Sequence, residues 1–431
     1  MTNHKNVVEP RLPGISAAVP RPGQTDSKNG MSPLHRLATF SDNRHRPIHR
    51  WYPFVEGYSA DLLHLALRST SREHPTIHDP FGGSGTTCLA AAQLGLDSSY
   101  CEINPFLAWL ADLKTNGYIR SCHQSHRLYE FAEDLDNCRS TDTHDSKSHP
   151  FIAINASRDY FASDVAKSIV STLKLIDQHF CGTIRDLGRL AVARTLVPTS
   201  NMIRRTDLRR RTSRDPTPKP FIPTLVKNLR MIADDLATNE LDTSTTTRFI
   251  CADVRALHHY DDVDLIDLIV TSPPYLNGTN YCRNTKLELL VLQFMEDEGD
   301  LTSLRSQCIT AGINNVSKRR PVPTPIADVE TVASQLDEVA YDRRIAAMVR
   351  LYFSDMKDAL TSLRLKSSSD AVLMLDIGDS QFAGVHVPTH ELLSTIAGEC
   401  GWRHGDTIHL RTRRSYSGAK LVQVVLCLEA K

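Results

Sequence analysis

Short apolar runs, set between longer amphipathic stretches, give this chain its plainest pattern. Thr76-Ile77-His78-Asp79 and Ser98–Glu102 flank a small-residue segment, Thr86–Leu94, which starts at a glycine-rich turn and stops at Gly95. Strand, glycine turn, helix and strand in that succession form the first unit of a doubly wound α/β sheet. Just before it, Ser59 reads as the N-cap of a helix through Ala60–Arg68, with Leu62, Leu63, Leu65, Ala66 and Leu67 as its apolar side. The alternation stops over residues 119–246, where amphipathic helical stretches have no strand between them. It resumes with Phe249–Asp253 and with the mostly apolar Leu265–Val270. A helix over Val339–Leu365, a strand over Ala371–Ile377 and a helix over Thr389–Glu399 follow. The last two strands, Thr407–Arg413 and Leu421–Glu429, are joined by Ser415-Tyr416-Ser417-Gly418, a loop of hairpin length. A terminal hairpin on an otherwise parallel sheet implies one antiparallel strand.

The pattern divides the chain into four parts. Residues 1–45 are polar and rich in Pro, Gly and Ser, and are expected to form a disordered arm. Residues 46–118 carry the first half of the sheet, 119–246 a mainly helical insert, and 247–431 the second half. A polar, proline-bearing stretch within that second half, roughly 297–335, reads as a loop insert.

Composition narrows the function. The chain is 41% hydrophobic and 23% charged, enough apolar content for a sizeable core. It has no run of about 18 apolar residues, so no membrane span is expected. The first 45 residues hold no apolar stretch that reads as a signal peptide, and the ten cysteines include no CxxC pair. Scattered thiols point to the cytoplasm, and no metal site is expected. The net charge of zero hides an asymmetry. Residues 185–230 hold twelve Lys/Arg against three Asp/Glu, whereas 231–300 hold four against fourteen. Clustered cations of this kind suit a polyanion, because they release counterions from a phosphate backbone. A solvated helical surface would look the same. Arg204, Arg205, Arg209, Arg210 and Arg211 are the candidate phosphate contacts, with Arg319 and Arg320 of the later loop as alternatives.

Two motifs carry the chemistry. In Asp79-Pro80-Phe81-Gly82-Gly83-Ser84-Gly85-Thr86-Thr87, glycines allow close backbone approach and a helix N-terminus offers free N–H groups. No lysine follows the last glycine, so a nucleoside without phosphates, or a carboxylate, suits the turn better than a nucleoside triphosphate. Glu102, at the end of the next strand, can accept both hydroxyls of a ribose. Asp253, at the end of the strand after the insert, can accept the amino group of an adenine. Taken singly, each reads equally well as a strand-end or turn acid. The second motif is Thr271-Ser272-Pro273-Pro274-Tyr275, directly after an apolar strand. Two prolines must end that strand and leave their carbonyls free, and Tyr275 offers a flat face at the carboxyl edge of the sheet.

Together, His49–Leu63, Asp79–Thr87, Glu102, Asp253 and Ser272–Tyr275 resemble the S-adenosylmethionine-dependent amino methyltransferases of DNA. Ile377–Ser380, Arg413–Ser415 and Lys420–Val422 are similar to late segments of the same group. The resemblance covers roughly 46–118 and 249–431 and implies a class I methyltransferase sheet. It implies S-adenosyl-L-methionine held by Tyr52, Pro53, Asp79, Pro80, Phe81, Gly83, Gly85, Thr86, Glu102 and Asp253. Ser272, Pro273, Pro274 and Tyr275 would be catalytic. A serine at the head of the second motif resembles the cytosine-N4 enzymes more than the adenine-N6 ones. No Pro-Cys dipeptide exists, against the C5-cytosine class. DNA is the implied partner, with cognate restriction or defence proteins beside it. Alternatives are adenine-N6 methylation of DNA, guanine-N2 methylation of RNA, and an inactive DNA-binding protein.

Overall fold

The computed structural model describes residues 33–137, 149–205, 207–238, 241–277, 281–316, 323–415 and 418–431. Its strands in chain order are β1 (Ile77–Asp79), β2 (Ser98–Cys101), β3 (Met202–Arg204), β4 (Leu208–Arg210), β5 (Thr247–Cys251) and β6 (Ile266–Thr271). β7 (Ser367–Gly378), β8 (Ser380–Phe382), β9 (Val385–Val387), β10 (Trp402–Arg414) and β11 (Lys420–Ala430) follow. Seven of them form one sheet in the order β10-β11-β7-β6-β1-β2-β5. β1 pairs parallel with β2 and β6, β2 with β5, and β6 with β7. β11 runs antiparallel to both β7 and β10. This is the doubly wound class I methyltransferase sheet, with β11 as the one reversed strand. The chain moves outward from β1 to β2 and β5, then returns to the other side of β1 as β6. That reversal opens a crevice at the carboxyl ends of β1 and β6.

The sheet is buried on both faces, which is why its central strands read as nearly unbroken apolar runs. On one face Leu268, Val270, Val372, Met374 and Val425 meet Leu62, Leu63, Ala90 and Ala91 of the first helices. On the other, Ile269, Leu373, Leu375, Leu426 and Leu428 meet Tyr352, Phe353 and Leu360 of the helix Arg344–Leu365, and Leu393 and Ile396 of the helix Thr389–Glu399. Alternate residues of each strand serve opposite layers, as a period of two requires. No described helix is long and apolar enough to cross a membrane.

The insert packs into a core cluster that it shares with Trp51, Tyr52, Leu89 and Phe106 of the first half and Leu287 and Leu290 of the second. Helices Ser125–Asn137, Ser163–His179, Gly182–Thr199 and Phe221–Leu236 bury Leu128, Leu173, Leu187 and Leu229 together. It also carries the β3–β4 hairpin. Its strands have three residues each and are dense in arginine, so no apolar alternation announced them.

Two expectations need correction. Pro33–Ala38 and Asp42–Arg44 form 3-10 turns, with Leu34, Leu37, Ala38 and Phe40 buried, so the residues just before 46 belong to the folded body. Residues 1–32 lie outside the described residues. The described residues of 297–335 are largely helical rather than a loop. Asp297 caps the helix Glu298–Gln307 by accepting from the N–H groups of Gly299 and Asp300, and Ala327–Val339 buries Val329, Ala333 and Leu336 on one stripe. Polar surface residues around that narrow stripe obscured its helical period.

A buried carboxylate is one of the bolts between the insert and the sheet domain. Asp235, fully buried near the end of the helix Phe221–Leu236, accepts from Ile48 N–H at 2.9 Å and Trp51 Nε1–H at 3.0 Å. It also accepts from Arg50 Nε–H at 3.1 Å and Nη2–H at 2.5 Å. Losing it strands several donors, one of them charged, in a dry interface. Asp235→Ala should therefore cost about 3–5 kcal/mol, read as an earlier thermal or urea transition. A melting curve unchanged from wild type would show that the junction is held by packing alone.

Candidate active site

The first wall of the crevice starts at the end of β1. Asp79, 1% exposed, accepts from Phe81 N–H at 3.1 Å, the Tyr58 hydroxyl at 2.9 Å and Thr271 Oγ1–H at 2.6 Å. Tyr58 also meets the Thr87 hydroxyl, which donates to the Val270 carbonyl at 3.1 Å. Burial raises the Asp79 carboxyl, and its hydrogen bonds oppose the shift. The glycine turn follows. Gly83 takes φ +52° and donates its N–H to Glu102 Oε2 at 2.7 Å. Gly85 takes φ +76°, and any Cβ there would lie 2.9 Å from Ala111 Cα. Both positions therefore favour glycine, the second by contact as well as conformation.

Glu102 forms the floor. Its other oxygen accepts from Asn104 N–H at 2.8 Å, and burial raises its carboxyl to about 7. Asn104 itself caps the next helix by accepting from Phe106 N–H, and its amide donates to Thr285 Oγ1 at 2.7 Å. Phe54, Glu56, Pro80, Phe81, Gly83, Leu107 and Asp253 line the same cleft. An acid at its floor, apolar rings beside it and a glycine where the backbone comes close fit a nucleoside-bearing ligand such as S-adenosylmethionine. Lys114, the lysine that reaches the turn, is buried behind it, and among the described residues no lysine lines the cleft to meet a phosphate chain.

Several expected cofactor contacts sit elsewhere. Tyr52 is buried away from the cleft lining. Its hydroxyl donates to Glu288 Oε1 at 2.9 Å and its ring packs edge-on against Phe106. Pro53 is not in the lining either, and Phe54 to Gly57 take that place. The apolar demand of the insert interface decides this, since Trp51 and Tyr52 are the larger rings. Asp79, Gly85 and Thr86 stand behind the turn and shape it rather than face the cleft. Asp253 does line the cleft, but its carboxylate also caps a 3-10 turn and pairs with Arg255 at 2.7 Å, whose guanidinium reaches on to Asp355.

The opposite wall is Ser272-Pro273-Pro274-Tyr275, all four of which line the cleft. The β6–β7 register, with Thr271 opposite Leu375, sets the segment beside the carboxyl end of β7. There Asp376 Oδ1 accepts from the Tyr275 hydroxyl at 2.8 Å and from Gln423 Nε2–H at 2.7 Å. Gln423 also donates to the Tyr275 oxygen at 2.8 Å. Burial raises Asp376 to about 6, against the pull of these hydrogen bonds. Among the described residues no partner occupies the Ser272 hydroxyl. Reading the sequence missed Asp376, Gln423 and Asn104, whereas Phe54 lies within the aromatic stretch His49–Leu63 that it singled out. The signal for the first two was present: Asp376 interrupts the apolar run Ala371–Ile377, and Gln423 the run Leu421–Leu428.

The arginine block of the insert is largely engaged by its own chain. Arg204 is nearly buried, pairs with Glu288 at 2.7 Å and lies over the Tyr52 ring, so it is absent from any DNA-facing surface. Arg209 pairs with both oxygens of Asp215 at 2.7 and 2.9 Å, and Arg205 reaches the same acid at 3.5 Å. Arg210 donates to the Asp159 carbonyl at 3.1 Å, and Arg211 to the carbonyls of Ser200 and Pro216 at 2.9 and 2.6 Å. These bonds close the small hairpin, which has little apolar surface of its own. Arg319 and Arg320 lie outside the described residues.

The N6/N4 methyltransferase family model, a DNA methylase, matches residues 35–112. Type II methyltransferase M.AvaI of Anabaena variabilis is 21% identical over 420 residues, covering 90% of this chain and 85% of its own, and that of Nostoc sp. gives the same figures. Type II methyltransferase M.BsoBI of Geobacillus stearothermophilus is 22% identical over 440 residues, covering 90% of this chain and 84% of its own. The matched segment contains the glycine turn and Glu102, and these similarities support a place among the S-adenosylmethionine-dependent DNA amino methyltransferases.

Proposed function

We propose that the protein methylates the exocyclic N4 of cytosine at specific sites in DNA, in the cytoplasm and in a restriction-modification or phage-defence setting. The observation that carries this reading is a hydroxyl residue, Ser272, heading the Pro-Pro-Tyr wall of the cleft that also holds Glu102. S-adenosylmethionine, when bound, supplies a methyl group made electrophilic by its sulfonium sulfur. The target amine is a weak nucleophile because its lone pair is delocalised into the ring. Ser272 Oγ and the Pro273 carbonyl accept its N–H bonds and localise that lone pair as the new bond forms. Such acceptors are fixed in advance and act on charge that develops in the transition state. The base leaves the stack to reach them, and Tyr275, held by Asp376 and Gln423, stacks on it. Glu102 would accept the ribose hydroxyls of the cofactor, and Asp253 would hold its adenine.

Nucleoside mass spectrometry of DNA from cells expressing the protein should show N4-methylcytosine. N6-methyladenine without it would move the assignment to the adenine branch, and modified RNA with unmodified DNA would end the DNA reading. Ser272→Ala should lower kcat by about 10²-fold or more with cofactor affinity nearly intact. Tyr275→Ala should weaken base binding and rate by about 1–3 kcal/mol.

Cofactor affinity should also depend on pH. Burial places Glu102 near 7, and its ionised form is the better acceptor for two hydroxyls. Calorimetric affinity for S-adenosylmethionine should then fall as the pH drops through about 7, and Glu102→Gln should flatten that profile. An identical pH profile in both proteins would remove Glu102 from the cofactor site.

A further inference from the structure

We propose that Arg411 and Arg413, on the edge strand β10, form the site that grips a backbone phosphodiester of DNA beside the displaced nucleotide. The inference rests on the DNA-methylation reading for the identity of the anion. Its geometry comes from the sheet. Arg411 stands opposite Gln423 and Arg413 opposite Leu421 on β11, while Gln423 stands opposite Gly378 on β7. Directly opposed residues, and residues two apart on one strand, project from the same face. Arg411, Arg413, Gln423, Gly378 and Asp376 therefore share one face at the end of the sheet where Tyr275 lies. A Cβ at Gly378 would meet Arg413 Nη2 at 3.0 Å and Tyr275 Cε2 at 3.4 Å. Guanidinium and ring thus share the space above a single glycine, at the rim of the wall proposed to hold the base.

Charge points to what this rim binds. Among the described residues neither arginine makes an ion pair, in contrast to Arg204, Arg205 and Arg209 of the insert. Arg411 Nε donates to Gln423 Oε1 at 2.7 Å, a neutral acceptor. Burial makes Arg411 hold its proton less tightly than usual; Asp376 and Tyr275 face it and partly offset this, while Arg413 adds repulsion. The Asp376 oxygen on this side is already shared between Tyr275 and Gln423. A half-buried cation crowded by a second, exposed one, with the nearby Asp376 already engaged by Tyr275 and Gln423, is relieved when an anion arrives. A planar guanidinium matches two oxygens of a phosphate. A base rotated out of the duplex draws its own phosphates toward the cleft mouth, where β10 forms the free edge of the sheet.

The test uses the full-length protein with Arg413→Gln, Arg411→Gln and the charge-keeping Arg413→Lys. Duplex DNA containing the methylated site is titrated by fluorescence anisotropy over a range of salt, and S-adenosylmethionine by calorimetry. Each glutamine variant should lose about ten- to a hundredfold in DNA affinity and reduce the slope of log affinity against log salt by about one. Cofactor affinity should stay within twofold or so, and Arg413→Lys should recover the salt slope. A single neutral methylphosphonate beside the target base should cost the wild type the same factor and cost Arg413→Gln little more. Unchanged DNA affinity and salt slope in both glutamine variants would overturn the site. So would loss of cofactor binding, which would assign the arginines to the cofactor's carboxylate. An arginine-dependent salt slope in a protein that yields no methylated nucleoside would leave the phosphate grip standing and remove the methylation reading instead.

Discussion

Asp79 holds the two walls of the cleft in register. One buried carboxylate receives the Tyr58 hydroxyl, the N–H that starts the glycine turn and the hydroxyl of Thr271, the residue just before Ser272. The turn expected to approach the cofactor and the segment expected to receive the base thus share one acceptor. Chemistry between two bound partners is sensitive to small errors of position, so a rigid common anchor matters more here than an additional contact to either. Lys114 supports the same turn from behind. Its buried ammonium donates to the Ser84 carbonyl at 3.0 Å, and burial lowers it to about 7.

The insert obeys a different constraint. Placed between β2 and β5, it brings a large polar and basic surface next to a closed α/β body. Its charges are spent on the join. Asp235 receives Ile48, Arg50 and Trp51, and Arg204 with Glu288 fills the space beside Tyr52. The aromatic stretch before the glycine turn therefore serves two neighbours: residues 48–52 lock the insert, and residues 54–57 line the cleft. Arg411 and Arg413 on β10, at the opposite edge of the sheet, make no ion pair among the described residues. A charge run in a sequence reports how many cations there are, and burial then decides which of them face solvent.

Much of the architecture was legible because it rests on local physics. The apolar runs at Leu265–Val270 and Ala371–Ile377 became β6 and β7, as strands buried on both faces must. Gly83 and Gly85 marked positive φ, and Ser272-Pro273-Pro274-Tyr275 marked the end of a strand at a ligand-bearing edge. These are properties of neighbouring residues, and sequence order states them directly. The β3–β4 hairpin and the helices within 297–335 were not legible, since short or sparsely apolar elements depend on what they pack against.

The sequence by itself determined the strand order class, the glycine turn, the acid that follows it and the polar-Pro-Pro-aromatic wall. Only the tertiary structure decided that Tyr52 turns to Glu288, that Arg204 is buried, and that Asp376 and Gln423 meet at the Tyr275 hydroxyl. The physical reason is distance along the chain. Tyr275 and Gln423 are brought together by sheet register and by the burial of both strands, neither of which is visible in the spacing of their own neighbours.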